Sequence, residues 1–143
     1  MASVSTYLNF EGTALDAFTF YRSVFGGDFR GPIQRFGDLE GMPPLSDEDK
    51  EKILHIELPI LGGHILMATD MLASMGHHLR VGNNITIQLE FDSLEEGQRV
   101  FDRLSENGSD INPLTPQFWG AYWGTCLDQF AIRWMFNIPQ VAL

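Results

Sequence analysis

The chain has 143 residues, enough for one domain or for two small modules sharing a core, and its 44% hydrophobic content is ordinary for a globular protein. A formal net charge of −10 sets nucleic acid and anionic membrane surfaces aside as partners, because nothing here would neutralise phosphates. The longest apolar runs, such as Ile65-Leu66-Met67-Ala68, are far too short to span a bilayer, and the single Cys126 allows no internal disulfide, which fits a reducing cytosol and a cytoplasmic location.

Met1-Ala2-Ser3-Val4 carries neither a basic region nor an apolar signal core, so the sequence is expected to start directly on the fold. Ser5 to Phe10 alternates and is rich in strand formers, predicting a first strand. Thr13 is placed to cap a helix whose apolar positions are Ala14, Ala17, Tyr21 and Val24 or Phe25, and Gly26-Gly27 stops it. Phe29 to Phe36 reads as a second strand, with Pro32 confining it to an edge or a bulge. Gly37 to Lys52, Gly/Pro-rich and then acidic, reads as a mobile, solvated loop.

Ile53 to Leu58 alternates, with Leu54, Ile56 and Leu58 expected inward and His55 and Glu57 on the polar side; Gly62-Gly63 links it to a partner strand, His64 to Thr69. Asn84 to Phe91 is the clearest strand pattern in the chain. Ser93 caps the next helix with Glu96 at the box position, and Leu94, Gly97, Val100, Phe101 and Leu104 line its inner face.

Near the C-terminal end all the tryptophans fall inside two aromatic runs, Phe118-Trp119-Gly120-Ala121-Tyr122-Trp123-Gly124 and Ile132 to Phe136. They read as a hairpin turned at Asp128-Gln129-Phe130-Ala131. Ile132, Trp134 and Phe136 form its core face, while Arg133, Met135 and Asn137, with Trp119 or Tyr122 near them, form the face where a ligand would meet polar groups on an apolar wall.

Leu8-Asn9-Phe10, a capped helix and Gly-Gly recur as Leu89-Glu90-Phe91, a capped helix and Asn107-Gly108. Each copy continues with about three strands, so the expected fold is α+β, a duplicated βαβββ whose curved sheets surround a shared cleft. The first module covers about residues 3–75 and the second about residues 82–137 of one domain.

Tyr7-Leu8-Asn9-Phe10-Glu11-Gly12, Phe20 to Gly27, His55-Ile56-Glu57-Leu58, Leu66 to Asp70, Phe118-Trp119-Gly120-Ala121 and Asp128 to Asn137 together resemble the PhnB-like branch of the vicinal-oxygen-chelate superfamily, which has the glyoxalase/bleomycin-resistance fold. Two departures stand out: Asp-Gln-Phe-Ala at 128–131 where that branch usually has Asp-Pro-Phe-Gly, and Arg133 where it often has His. The positions that carry metal ligands in the superfamily fall, by the resemblance, near Ser5, Thr86, Met135 and somewhere in Leu66 to Asp70, where only Asp70 is a carboxylate. Such a set does not suit a divalent cation, so no metal and no other cofactor is expected.

The candidate ligand-binding residues are His55, Glu57, Asp70, Gln88, Trp119, Tyr122 and Arg133. His55 and Glu57 share a strand face as an acid/base couple or as a polar pair satisfied by a neighbouring strand. Arg133 offers a guanidinium fork to a carboxylate or phosphonate, or else pairs with Glu57 or Glu90. His77-His78 is a solvated loop pair, and Cys126 an inert core thiol. The expectation is a metal-independent protein that binds a small polar-aromatic or anionic ligand. Two alternatives stay open: a metal-dependent lyase or dioxygenase using His55, Glu57 or Asp70, and a non-catalytic, drug-sequestering binding protein. The aromatic mass and the apolar end at 138–143 further predict a homodimer burying about 2,000 Å² or more.

Overall fold

The computed structural model describes residues 1–140, which divide into two compact units, Met1–Arg80 and the residues from Val81 onward. In the first, β1 (Thr6–Phe10), α1 (Ala14–Phe25), β2 (Gln34–Arg35), a short α2 (Asp47–Glu51), β3 (Ile53–Pro59) and β4 (Ile65–Asp70) follow in order. The sheet runs β1-β4-β3-β2, with β1 parallel to β4 and the other neighbours antiparallel. The second unit has β5 (Ile87–Glu90), α3 (Leu94–Ser105), β6 (Ser109–Pro116), β7 (Ala121–Leu127) and β8 (Arg133–Pro139), in a sheet ordered β5-β8-β7-β6 with β5 parallel to β8. The architecture is the expected α+β duplication of βαβββ.

The two long helices, α1 and α3, each cover one face of their own unit's sheet. Ala14, Ala17, Phe18, Tyr21 and Val24 recur at three- and four-residue spacing and are buried. So are the residues that β3 and β4 turn inward: Ile56, Leu58, Leu66 and Ala68. In the second unit Gly97, Val100, Phe101 and Leu104 of α3 are buried, with Phe101 edge-on to Phe136 of β8 at 5.1 Å. Each large side chain withdrawn from water in this way contributes about 1.5–3 kcal/mol.

Several local expectations change. The second strand shrinks to Gln34–Arg35 because Gly31 (φ 71°) and Pro32 interrupt the run before it. Residues 37–52 are largely exposed, as expected, but carry local structure: Phe36–Asp38 makes a 3₁₀ turn that buries Phe36, and Ser46 caps α2 by accepting from Asp49 N at 3.0 Å. Thr13 makes no cap. The start of α1 is held instead by Asp70, whose Oδ1 accepts from Gly12 N and Ala14 N at 3.0 Å each. In β3 the inward position goes to buried Ile53 rather than Leu54, because the β2–β3 register shifts between Gln34 and Arg35. The fifth strand begins only at Ile87, leaving Ile85 exposed.

Candidate functional site

Residues paired across neighbouring strands share a face of the sheet. Tyr7 pairs with Met67 and Met67 with Glu57, so these form a row on the face of the first unit's sheet turned away from α1. Asn9 pairs with Thr69, and His55, two residues before Glu57, lies in that next row beside Gln34. The sequence-predicted pair is thereby joined: His55 Nε2 lies 2.8 Å from Glu57 Oε2. Two partners that the sequence did not suggest complete it. Arg30 Nε donates to Glu57 Oε1 at 2.8 Å, with Nη2 against the same oxygen, and the Tyr7 hydroxyl lies 3.2 Å from His55 Nδ1.

The electrostatics follow from these contacts. The hydrogen bond from His55, then the Arg30 guanidinium, hold the Glu57 carboxyl below its ordinary range. Burial holds the Tyr7 phenol above its ordinary value, while the Thr69 hydroxyl pulls the other way. Glu57 is thus kept as a carboxylate and Tyr7 as a phenol. The Tyr7 side chain still reaches solvent, at 49% exposure, with its ring centroid 5.7 Å from that of His55.

Asp70 stands apart from this face. It is buried, and beyond the two amides at the start of α1 its Oδ2 accepts from Ile53 N at 2.9 Å. This carboxylate fastens β4 to α1 and β3, and its place among the ligand contacts is corrected to a structural one.

The second unit's open face is built by the same rule. Gln88, Met135 and Thr125 form one row, Glu90, Asn137 and Trp123 the next, and Arg133 pairs with Leu127. Tyr122 pairs with buried Ile138 and so belongs to the opposite face; Trp123 takes the place expected of it. Trp119 lies in the turn between β6 and β7, half exposed, edge-on to Phe118 at 5.0 Å. Within its own unit Arg133 pairs with Asp110 of β6 and not with Glu90. Its Nη2 stands 3.5 Å from Asp110 Oδ2, and its Nε is buried with no hydrogen-bond partner.

His77 Nδ1 lies 3.4 Å from Leu72 N, a local loop contact, and burial pushes the Cys126 thiol up. Among the described residues no three His, Cys, Asp or Glu side chains converge as a metal site would require, and no helix is long and apolar enough to cross a membrane. The hydroxyls of Ser5 and Thr86 and the thioether of Met135 do not fit a divalent cation, and the one His–carboxylate pair on the first sheet already holds a guanidinium.

Comparison with known proteins agrees with this architecture. Residues 12–136 match the model of the Glyoxalase/Bleomycin resistance protein/Dioxygenase superfamily. Protein YjdN of Escherichia coli strain K12 is 28% identical over 145 aligned positions, covering 96% of this chain and 95% of that protein. The crystal structure of protein PA1353 from Pseudomonas aeruginosa superposes with a TM-score of 0.83 at 34% identity, covering 99% of this chain and all of that one. A PhnB protein from Bacillus cereus shares the fold at a TM-score of 0.75 and 23% identity, over 96% and 99% of the two chains. The chain belongs to the glyoxalase/bleomycin resistance protein/dioxygenase superfamily.

Proposed function

We propose that this protein binds a small polar-aromatic or anionic molecule without a metal ion, using the open sheet face of its first unit. The observation that carries the reading is the Arg30–Glu57–His55 series: a guanidinium neutralises the carboxylate beside the histidine, which removes the need for a cation there. Tyr7 and Met67 supply an apolar wall next to these polar groups, the usual make-up of a small-molecule site. The second unit's own open face presents the Gln88 amide and the Arg133 guanidinium, the latter 3.5 Å from Asp110. Trp119, in its exposed turn, remains a proposed aromatic contact. The buried single cysteine supports a cytoplasmic location, and the exposed Phe118 and Trp119 support a homodimer.

Elemental analysis of the purified protein, followed by thermal-shift screening of aromatic carboxylates, phenols and phosphonates, tests the reading. The expected result is substoichiometric metal and stabilisation by at least one such class that is lost in Glu57→Gln. One tightly bound metal ion per chain, or no response to any of these classes, overturns it.

A further inference from the structure

We infer that Tyr7 is the group that takes a proton from a bound ligand carrying a weakly acidic hydroxyl, a phenol or an enol, and that His55 and Glu57 carry the proton onward. The inference rests on the small-ligand reading of this face.

The order of the series follows from which groups can donate. A carboxylate only accepts, so the 2.8 Å contact with Glu57 requires the proton on His55 Nε2. A neutral imidazole with Nε2–H presents a lone pair at Nδ1, and that lone pair faces the Tyr7 hydroxyl at 3.2 Å. Tyr7 therefore donates inward, and its oxygen shows acceptor lone pairs to solvent. A ligand atom meeting that oxygen must bring a hydrogen. The carboxylate is itself anchored by Arg30, and Arg30 N donates to the Glu57 carbonyl at 2.9 Å, so the far end of the series is fixed through side chain and backbone alike.

The transfer balances without an added reactant. The ligand O–H bond breaks, its electron pair stays on the ligand oxygen, and the proton joins Tyr7. The Tyr7 proton passes to His55 Nδ1, and the resulting imidazolium is held by Glu57 Oε2. The charged groups that face the series are Glu57 and Arg30; the flanking positions on the neighbouring strands are Asn9, Met67, Thr69 and Gln34, all neutral. His64 bonds to Thr6, whose register with Leu66 puts it on the helix-covered face. Burial, against the smaller pull of the Thr69 hydroxyl and with the Glu57 charge adding to it, disfavours the ionised form of Tyr7, so its proton leaves for His55 as the ligand's proton arrives.

Two measurements on the full chain test this. Nitrogen-15 NMR of the ligand-free protein should find His55 with its proton on Nε2; the Nδ1–H tautomer overturns the relay. The second uses 4-nitrophenol, whose ionised form absorbs in the visible, titrated at a pH below its own ionisation midpoint. Bound to the wild type it should show the phenolate band. His55→Gln should bind it without the band, and Tyr7→Phe should lose the band and bind roughly tenfold more weakly, the worth of one hydrogen bond. Binding to the wild type without the band overturns the relay and leaves the ligand-binding reading standing. No binding overturns the relay and counts against that reading as well.

Discussion

A methyl group added at Gly97 would lie 2.3 Å from Ile138 Cδ1, so α3 and β8 touch at a point where only hydrogen fits. Ile138 is buried, which removes it from the apolar tail expected to need cover; Pro139 and Gln140 are exposed, and residues 141–143 lie outside the described residues. Gly97→Ala gains up to about 1 kcal/mol of helix propensity and meets an overpacking cost of about 1–3 kcal/mol. Chemical denaturation should find it destabilised by about 1 kcal/mol. Ile138→Val deletes the clashing methyl, so the double variant should be more stable than the sum of the two singles allows.

Ala131 holds φ at 66°, the left-handed region, in the turn before β8. A side chain there costs about 1–2 kcal/mol, partly offset by the greater flexibility of glycine in the unfolded chain. Ala131→Gly should therefore raise the unfolding free energy by about 0.5–1 kcal/mol. No gain would mean that the turn relaxes around alanine.

Asp70 and Arg133 separate structural from ligand roles. Asp70→Ala strands the buried amides of Ala14 and Ile53, besides releasing the part-buried one of Gly12, and should cost about 3 kcal/mol or more of stability. Arg133→Ala should leave the core intact, because Asp110, its ion-pair partner among the described residues, is largely exposed. Weaker binding of aromatic carboxylates is expected, by about 1.5–3 kcal/mol if the guanidinium makes a charge-assisted contact. An Arg133→Ala protein that unfolds while its affinity holds would make the residue a structural one.

Acid should act through Glu57. Its folded carboxyl ionises below its unfolded value, so its contribution is complete above the unfolded pKa and disappears as pH falls through the lower folded one. Denaturation curves for wild type and Glu57→Gln should converge as the pH drops through that window and separate above it. Parallel curves across the window would remove Glu57 from the acid response.

Phe118, at 96% exposure, and Trp119 beside it make the aromatic tip of the β6–β7 turn. A homodimer should give light scattering near twice 16.1 kDa, and Phe118→Ser with Trp119→Ser should shift it to monomer. A wild type near 16.1 kDa at micromolar concentration rules the dimer out.

Local pattern made much of this molecule legible. The apolar spacing of Ala14 to Val24 and of Gly97 to Leu104 marked both helices and their buried faces, and the alternation of Trp134 and Phe136 marked β8. What escaped was fixed by distant chain or by register. Tyr7 meets His55 across 48 residues and Arg30 meets Glu57 across 27, distances at which no periodicity operates. Trp123 rather than Tyr122 faces outward because the hairpin pairs Trp123 with Asn137, a phase that counting along an aromatic run does not supply. Asp70 looked like a free carboxylate because backbone amides leave no sequence signature.

The reach of Asp70 bears on how the chain acquires its structure during synthesis. The acceptor that satisfies the first amides of α1 is 56 and 58 residues downstream, and β1 pairs in parallel with the strand that ends on the same aspartate. Until that residue has left the ribosome, the start of α1 has no Asp70 to bind and β1 has no parallel neighbour. Non-local closure of this kind slows folding, because chain entropy is lost before contacts compensate for it. The first unit should therefore gain protease resistance in one late step on stalled nascent chains, once Asp70 emerges, and not gradually as each strand appears.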